Sequence, residues 1–392
     1  MVFVKDYKKY CYYFPNWHPD PLNEQWHGKG WTEWDCLQQG IPRFEGHVSP
    51  RVPIWGYEDE SDPMVMDKKV RTALEYGFDG FIFDFYWFKD LGPYRIKALE
   101  EGFFKCPSCD DMEFAIMWAN HDPIYVHPAQ LRHGSAKLAD GNFTEEFFKE
   151  VTDYIIDNYF SRKNYIRVDG KIYFPIWSMK KFIDSFGSVE KSAEVIKDFR
   201  ERAAKKGYEL HIAGHKRFAP YYYDQTWDDG TIFATAKRDK KLFNETTKSV
   251  GLDSIFEYNW PRPKTDAWPD IPYSEFLKYN MEVFEDDLDF IELPHDITSA
   301  LGWDPSARTV RSDKYENSGY PFTQIISETT PEEIEKGFRA IKEFVERDTY
   351  TGNNMLTFTC WNEWTEGNAY EPDEAYGYGY LEAFKKVFID EK

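Results

Sequence analysis

The stretch GFIFDFYWF at residues 80–88 decides the fold class of this chain. Asp84 is its single charged residue, and apolar side chains occupy both faces of the strand that it would form. Such strands are typical of parallel sheets covered by helices on both sides. The preceding residues 63–76 have helical spacing and stop at Gly77. A helix followed by a doubly buried strand predicts an α/β protein.

The same alternation continues on both sides of this stretch. About eight strand–helix repeats predict a single (β/α)₈ TIM barrel with long, aromatic-rich βα loops, forming one domain over residues 1–392. A doubly wound open sheet is the alternative, but no glycine-rich phosphate loop follows the first strand. The other predicted strands are 10–14, 114–119, 172–177, 210–214, 254–258, 290–293 and 355–361, and the other predicted helices are 144–159, 189–206, 273–286, 331–347 with Thr330 as N-cap, and 380–388.

Composition narrows the class of partner. The chain has 392 residues, 69 acidic against 48 basic, and a net charge of −21. Phosphate binding needs clustered Lys and Arg, so this balance argues against nucleic acid and anionic membranes, and a polyanionic substrate would need a local basic pocket. No apolar run approaches the roughly 20 residues of a membrane span. Residues 1–6 do not resemble a signal peptide, so we expect a cytoplasmic protein, or a periplasmic or cell-surface one if a leader has been removed.

The cysteines predict neither a disulfide framework nor a cofactor. There are five, an odd number. Cys106 and Cys109 form a lone CxxC pair, and a structural zinc site would need a second ligand pair nearby. We therefore expect ordinary thiols, no metal and no cofactor.

The stretch FTCWNEWTEGN at residues 358–368 carries the candidate chemistry. It ends the predicted eighth strand with Glu363 and Glu366, three residues apart and flanked by tryptophans. Cleavage of a glycosidic bond needs such a pair: one carboxyl protonates the leaving oxygen and the other acts on the sugar side. We therefore predict Glu363 and Glu366 as catalytic residues. A strand end with two solvated glutamates is the alternative.

A sugar pocket at the rim of the barrel is the second functional prediction. Catalytic groups of these barrels lie at the C-terminal ends of the strands, where this chain collects polar and aromatic residues. With 14 Trp, 27 Tyr and 32 Phe, aromatic strand ends are also expected without a site. The predicted substrate-binding residues are Trp31, Glu33, Trp34, Asp84, Tyr86, Trp87, Trp118, Asn120, His121, Trp177, His215, Tyr258, Trp260, Trp303, Asp304, Trp361, Asn362, Trp364 and Tyr370.

Several segments also carry a family resemblance. They are WHGKGWTEW at 26–34, YGFDGF at 76–81, MWAN at 117–120, WDPSAR at 303–308, and residues 358–368 with the trailing EPD at 371–373. In this order, over nearly the whole chain, they resemble the WbsX-like family, named as glycosyltransferases of surface-polysaccharide clusters. The fold and last motif of that family are similar to glycoside hydrolase family 99, the endo-α-mannosidases and endo-α-mannanases.

The resemblance implies a (β/α)₈ barrel, an α-linked glycan of the mannose or rhamnose type, and a retaining mechanism without an ordinary carboxylate nucleophile. Carried onto this chain, Glu363 acts as base on the sugar 2-hydroxyl and gives a 1,2-anhydro sugar. Glu366 is the general acid and then the base. Two nearby carboxyls in an apolar pocket would push their pKa values apart, as this scheme requires.

Two positions depart from the family pattern. After residues 118–120 relatives continue with Glu-Asn-Trp, whereas this chain has His121, Asp122 and Pro123; Asp84 stands where relatives often have an aromatic residue. We expect different sugar hydroxyls to be bound. A metal site of Asp84, His121 and Asp122 is the alternative, and sugar hydrogen bonding is favoured over it.

The remaining candidates have structural alternatives. Glu33 reaches the pocket or forms a surface salt bridge, His215 binds substrate or completes a strand end, and Arg308 is expected to clamp its loop to a carboxylate. The acidic run at 285–289 is expected to be a solvated charge cluster. The favoured function is a glycoside hydrolase with a carbohydrate substrate. A glycosyltransferase using an activated sugar donor and a non-catalytic carbohydrate-binding barrel are the alternatives.

Overall fold

Eight parallel strands form a closed barrel. The computed structural model describes residues 7–129, 131, 136–222 and 238–391. Each strand pairs with the next, and the last pairs with the first in register from Lys8 with Met355. This confirms the predicted (β/α)₈ barrel. The strands are β1 Lys8–Tyr13, β2 Gly80–Phe88, β3 Glu113–Trp118, β4 Lys171–Ile176, β5 Leu210–His215, β6 Ser254–Phe256, β7 in two pieces, His295–Asp296 and Thr298–Ala300, and β8 Met355–Thr359.

Strand β7 closes the barrel by changing partner in its middle. Its first piece pairs with β6, with His295 opposite Ile255. Its second piece pairs with β8, with Thr298 opposite Thr357. Ile297 lies between the two pieces and is buried. One strand thus joins both neighbours although it is only six residues long from His295 to Ala300.

All six predicted helices are present, and the described residues form four more that the sequence did not predict, Pro21–His27, Trp34–Leu37, Met179–Phe186 and Lys240–Val250. Thr144 and Thr330 each lie immediately before the first residue of a helix. Their side chains accept hydrogen bonds from backbone N–H groups in the first turn, as N-caps do. The helices are Pro21–His27, Trp34–Leu37, Pro63–Tyr76, Glu145–Asn158, Met179–Phe186, Val189–Lys205, Lys240–Val250, Tyr273–Phe290, Pro331–Val345 and Gly379–Lys385, with π-helical turns at Ala98–Gly102 and Lys386–Asp390 and 3₁₀ turns at Phe103–Lys105, Cys109–Asp111, Lys216–Phe218, Ser306–Thr309 and Trp364–Glu366. Short strands outside the barrel are Gly92–Tyr94, Arg167–Val168, Asp270–Pro272, Ile325–Ser327, Asn362–Glu363 and Asn368–Ala369.

The predicted seventh strand at 290–293 is wrong. Phe290 ends the helix Tyr273–Phe290, and its ring packs 5.3 Å from Phe243 and 5.5 Å from Tyr222. The apolar character of this segment therefore reflects the packing of a helix end. The true strand β7 reads HDITSA, whose polar residues are buried by neighbouring strands and helices.

Three further predictions concern the rest of the chain. All five cysteines are free and buried, as expected of ordinary thiols. The acidic run at 285–289 is only partly solvated, because Asp287 is 1% exposed and bonded to Lys216; the expectation of a wholly solvated cluster is wrong there. Within the described residues, no helix combines the length and apolarity needed to cross a membrane.

Candidate functional site

A tight hairpin after β8 presents the acid pair. Asn362–Glu363 pairs antiparallel with Asn368–Ala369 around the 3₁₀ turn Trp364–Glu366. Gly367 closes the turn in the left-handed region at φ 73°, and a Cβ atom there would lie 2.7 Å from the Cβ of Asp304. The hairpin is thus held against the loop after β7, and both glutamates face the same cavity.

This cavity lies at the carboxyl ends of the barrel strands and has a volume of about 190 Å³. On the same measure one water molecule needs about 10–15 Å³, so the cavity has room for a small ligand. Seven predicted site residues line it: Glu363, Glu366, Asp84, Tyr86, His121, Trp177 and Tyr258. Lining residues that the sequence did not single out include Phe14, Trp26, His27, Phe88, Tyr94, Arg95, His127 and Tyr320, and Arg308 lines it too.

Arg308 joins the acids of the cavity. Its Nη1 contacts Oε1 of Glu366, and its Nη2 lies 3.5 Å from Oε1 of Glu363 and 2.9 Å from Oε1 of Glu33. The Tyr320 hydroxyl donates to Glu366 at 2.7 Å. The two predicted catalytic carboxyls therefore lie side by side across one guanidinium group. Arg308 clamps a carboxylate as expected, and these carboxylates belong to the site itself.

Glu33 supports the cavity from behind. Its side chain is fully buried and accepts hydrogen bonds from Asn16 and Thr365 besides its ion pair with Arg308. Of the two readings of the sequence, the surface salt bridge is wrong. Glu33 reaches the site through Arg308 and does not line the cavity.

The environment of Glu363 favours its protonated form. The carboxyl is 5% exposed. Burial raises its pKa well above the usual range, the negative charge of Glu366 adds to this, and the charge of Arg308 opposes it. Glu363 is therefore the carboxyl of the pair that tends to hold a proton.

Tyr258 links Glu363 to a third carboxyl. Its hydroxyl lies 2.7 Å from Oε2 of Glu363 and 3.2 Å from Oδ2 of Asp84. A phenol has one hydrogen to donate, so the second contact requires a proton on a carboxyl group. Burial raises the pKa of Asp84 to about 8, so at neutral pH Asp84 can donate to Tyr258, which then donates to Glu363.

His121 lines the cavity as a neutral ring. Its Nδ1 lies 3.0 Å from the carbonyl oxygen of Asp122, so Nδ1 carries the hydrogen and Nε2 can accept one. Burial lowers the pKa of His121 to about 4. The Asp122 carboxylate contacts Lys181 and lies 2.7 Å from Lys137. It does not line the cavity with Asp84 and His121, and these three described residues do not form the alternative metal site.

Five predicted aromatic residues lie in the core. The structure corrects their expected sugar contacts, because their rings pack against other rings and are at most 4% exposed. Trp118, for example, lies 4.8 Å from Phe143 and 5.0 Å from Phe148, on the helix side of β3. The five are Trp34, Trp118, Trp260, Trp361 and Tyr370.

Four residues that were predicted to bind substrate instead form hydrogen bonds with other parts of the protein. Asn120 exchanges hydrogen bonds with the backbone of Ser178, and Asn362 accepts one from the Phe14 backbone. Asp304 lies 2.9 Å from the His47 ring nitrogen. The Trp364 indole donates to Glu371 at 3.0 Å. These side chains fix the loops and do not line the cavity, which corrects their expected role.

The last four predicted residues stand outside the lining. The His215 ring is buried 4.6 Å behind that of Trp177. Trp303 lies 6.0 Å from the lining residue Tyr320. Trp31 lies 4.2 Å from His27, which also lines the cavity, and Trp87 packs 4.9 Å from Tyr154 on the outer side of β2.

Comparison with known proteins finds relatives of this chain. Two curated relatives from Xanthomonas campestris pv. campestris (strains ATCC 33913 and B100), each described as "Uncharacterized protein WxcX", are 23% and 22% identical over 390 residues, covering 96% of this chain and 49% of each relative. The chain therefore spans about half the length of the curated relatives it matches.

Solved structures agree with the barrel. The GH99 endo-alpha-mannosidase of Bacteroides thetaiotaomicron is 15% identical with a TM-score of 0.53, covering 98% of this chain and 96% of that one. A glycoside hydrolase-like protein is 17% identical with a TM-score of 0.55, covering 99% and 96%. At these identities the likeness shows the fold. The family model described as "Glycosyltransferase WbsX" matches residues 9–384. The chain belongs to the WbsX family, and its fold is that of the GH99 barrels.

Proposed function

We propose that this chain is a glycoside hydrolase that cleaves an α-linked glycan, with Glu363 and Glu366 as its acid–base pair. One observation carries the proposal: the two carboxyls lie side by side across Arg308 in the wall of a cavity lined with aromatic rings. Hydrolysis of a glycoside needs one protonated and one ionised carboxyl near the scissile bond. Rings such as Trp177 offer faces for a sugar.

The environment of each carboxyl suggests a division of labour. Glu363 has the raised pKa and suits a proton donor, whereas Glu366 accepts from Arg308 and Tyr320 and suits a base. The resemblance to family 99 implies the reverse order, with Glu363 as base on the sugar 2-hydroxyl. We propose the order that the protein without substrate favours, and the two orders are separable by experiment.

Sugar release tests the hydrolase itself. The substrates are α-linked mannose-, rhamnose- and glucose-containing glycans, and the proteins are wild type, Glu363→Gln and Glu366→Gln. Wild type releases sugar, and each variant loses about 10²- to 10⁴-fold of the rate. Release that survives both substitutions would place the chemistry elsewhere in the cavity.

Leaving-group dependence assigns the two roles. A glycosyl fluoride needs little protonation to depart, so the variant that lacks the general acid keeps activity on the fluoride and loses it on the glycan. We expect Glu363→Gln to behave in this way. The same behaviour in Glu366→Gln would establish the order implied by family 99 instead.

The family description supports a second candidate, a glycosyltransferase that uses an activated sugar donor. It predicts thermal stabilisation of the protein by a nucleotide sugar, since a ligand that binds only the folded state raises its stability. Stabilisation by a nucleotide sugar without release from any glycan would favour this candidate. A non-catalytic barrel would bind glycans, and neither wild type nor either variant would release sugar from them.

A further inference from the structure

Arg95 is a buried cation of the cavity wall that forms no ion pair with a carboxylate of the described residues. It is 6% exposed and lines the cavity wall. Its guanidinium carbon lies 4.4 Å from the ring centre of Tyr94, 4.8 Å from Phe14 and 5.0 Å from Tyr86. Within the described part of the chain Nε has no hydrogen-bond partner and no carboxylate forms an ion pair with it. Arg308, the other arginine of the cavity, contacts three carboxylates.

Arg95 is held by its backbone. Its φ is 61°, in the left-handed region that is unfavourable for arginine. The Arg95 N–H donates to Oδ2 of Asp20 at 3.0 Å, and the other oxygen of Asp20 caps the helix Pro21–His27 through the N–H of Leu22. The hydroxyl of the neighbouring Tyr94 donates to Asn23 in the same helix. A strained residue persists where its surroundings fix it, often at ligand sites.

We propose that Arg95 binds the carboxylate of a uronic acid residue, so that the glycan substrate is acidic. The inference rests on the proposed function, because it assumes that the ligand of Arg95 is part of a glycan that the protein cleaves. A guanidinium group offers a planar pair of N–H donors that matches a carboxylate, and burial among aromatic faces strengthens the contact. The net charge of −21 disfavours polyanions at a distance, yet a single acidic sugar needs only this local cation.

The amount of positive charge favours a carboxylate over a phosphate. Burial lowers the pKa of His27 and His121 to about 4 each, so both rings are neutral near pH 7. Arg308 is already engaged by Glu33 and Glu366. One guanidinium group matches the single charge of a carboxylate, whereas the pyrophosphate of an activated sugar carries more charge and is usually met by several donors or a helix N-terminus.

Binding of uronic acids tests the inference. The ligands are glucuronate, galacturonate and mannuronate, each compared with its neutral hexose by calorimetry and thermal shift. The proteins are wild type, Arg95→Gln and the control Arg262→Gln, an arginine stacked 4.9 Å from Trp303 outside the cavity lining. We expect at least one uronate to bind more tightly than its hexose. Arg95→Gln weakens that uronate about tenfold to a hundredfold and leaves the hexose unchanged, and Arg262→Gln matches wild type.

Other outcomes overturn the inference. They are no binding of any uronate, equal weakening of uronate and hexose in Arg95→Gln, or tighter binding of sugar 1-phosphates, which would assign Arg95 to a phosphate. The result is separable from the proposed function because binding needs no turnover. Uronate binding without release from acidic glycans would end the hydrolase proposal and keep the anion subsite. Hydrolysis of neutral glycans without uronate binding would do the opposite.

Discussion

Two clusters of buried charged residues have similar composition, but one adjoins an open cavity and the other is enclosed by the protein. The cavity cluster consists of Arg308 with Glu33, Glu363 and Glu366. The sealed cluster consists of Lys216, Glu257, Asp287 and His295, where Lys216 Nζ contacts Glu257 and lies 2.7 Å from Asp287. The space beside the cavity cluster is about 190 Å³, and that beside the sealed one about 10 Å³, near the minimum for one water.

A buried charged cluster is therefore not by itself evidence of a functional site. Glu257, Asp287 and His295 have the spacing of metal ligands, but the ammonium group of Lys216 already contacts both carboxylates, and Arg238 lies 3.3 Å from Asp287. In the cavity cluster three carboxylates share one cation. The cavity cluster thus differs from the sealed cluster in two ways. It adjoins an open volume, and it has more carboxylates than cations.

Exchanging one carboxylate in each cluster should give the largest contrast. Glu366→Gln is expected to lower turnover about 10²- to 10⁴-fold with the fold retained, because the proposed acid–base pair is lost. Glu257→Gln is the matched control in the sealed cluster and should lower the free energy of unfolding without changing turnover per folded molecule. Turnover assays beside denaturant unfolding would measure both. Equal losses of turnover in the two variants would remove the distinction between the clusters.

Removing the cation of the sealed cluster should have the largest effect on stability. Lys216→Met leaves Glu257 and Asp287 fully buried with their main positive partner gone. Breaking a buried ion pair in this way costs about 3–5 kcal/mol of unfolding free energy. Chemical denaturation measures the loss. A change below about 1 kcal/mol would mean that the cluster contributes little to the barrel.

Asp84 should make stability depend on pH. Its pKa is about 8 in the folded protein and near 3.8 ordinarily. Between these values the folded state holds a proton that the unfolded state has lost, so unfolding free energy falls as pH rises, by up to about 1.4 kcal/mol per unit. Asp84→Asn cannot titrate, so from pH 6 to 7 it should gain about 1 kcal/mol relative to wild type.

Asp122→Asn is the control for this pH effect. Burial opposes it, but hydrogen bonds from Lys137 and Lys181 hold the pKa of Asp122 below its usual range. Its contribution is therefore constant between pH 6 and 7 and is lost only in acid. Urea denaturation at several pH values compares the two variants. A wild-type-to-Asp84→Asn difference that stays constant with pH would show that Asp84 is ionised when folded.

The smallest contrast compares two tyrosine hydroxyls. Tyr320 donates to Glu366 at 2.7 Å in the cavity cluster, and Tyr222 donates to Asp287 at 2.8 Å in the sealed one. Each hydrogen bond to a charged group is worth about 1.5–3 kcal/mol. Tyr320→Phe should lower turnover about tenfold, and Tyr222→Phe should lower stability alone. Steady-state kinetics with thermal unfolding separate the effects, and a kinetic effect of Tyr222→Phe would contradict the contrast.

The sequence predicted the barrel better than the direction of its side chains. Strand positions followed from apolar runs, except β7, whose polar residues are buried only by their neighbours. At strand ends, alternate residues point to opposite faces. Asp84 and Tyr86 therefore line the cavity, whereas Trp87 and Trp118 pack outside the barrel. Naming every aromatic residue at a strand end ignored this alternation.

The common position of Glu363 and Glu366 in the cavity wall was predictable because both lie in one short motif. The other lining residues come from loops far apart in sequence. The position of Arg95 depends on its left-handed backbone and on the hydrogen bond from its N–H to Asp20. The position of Tyr320 depends on its contact with Arg308. No local pattern encodes such contacts, since they arise only when the barrel closes and brings its loops together.

The bridge from Glu33 through Arg308 to Glu366 also has a consequence during protein synthesis. Glu33 is synthesised long before its partner Arg308, which is 275 residues away, and Glu366 is 58 residues further. Strand β8, which completes the barrel beside β1, is synthesised after the other seven strands. A growing chain thus cannot assemble this bridge before the hairpin after β8 has been made. Until that hairpin has been made, Glu33 depends on water or a chaperone for its partners.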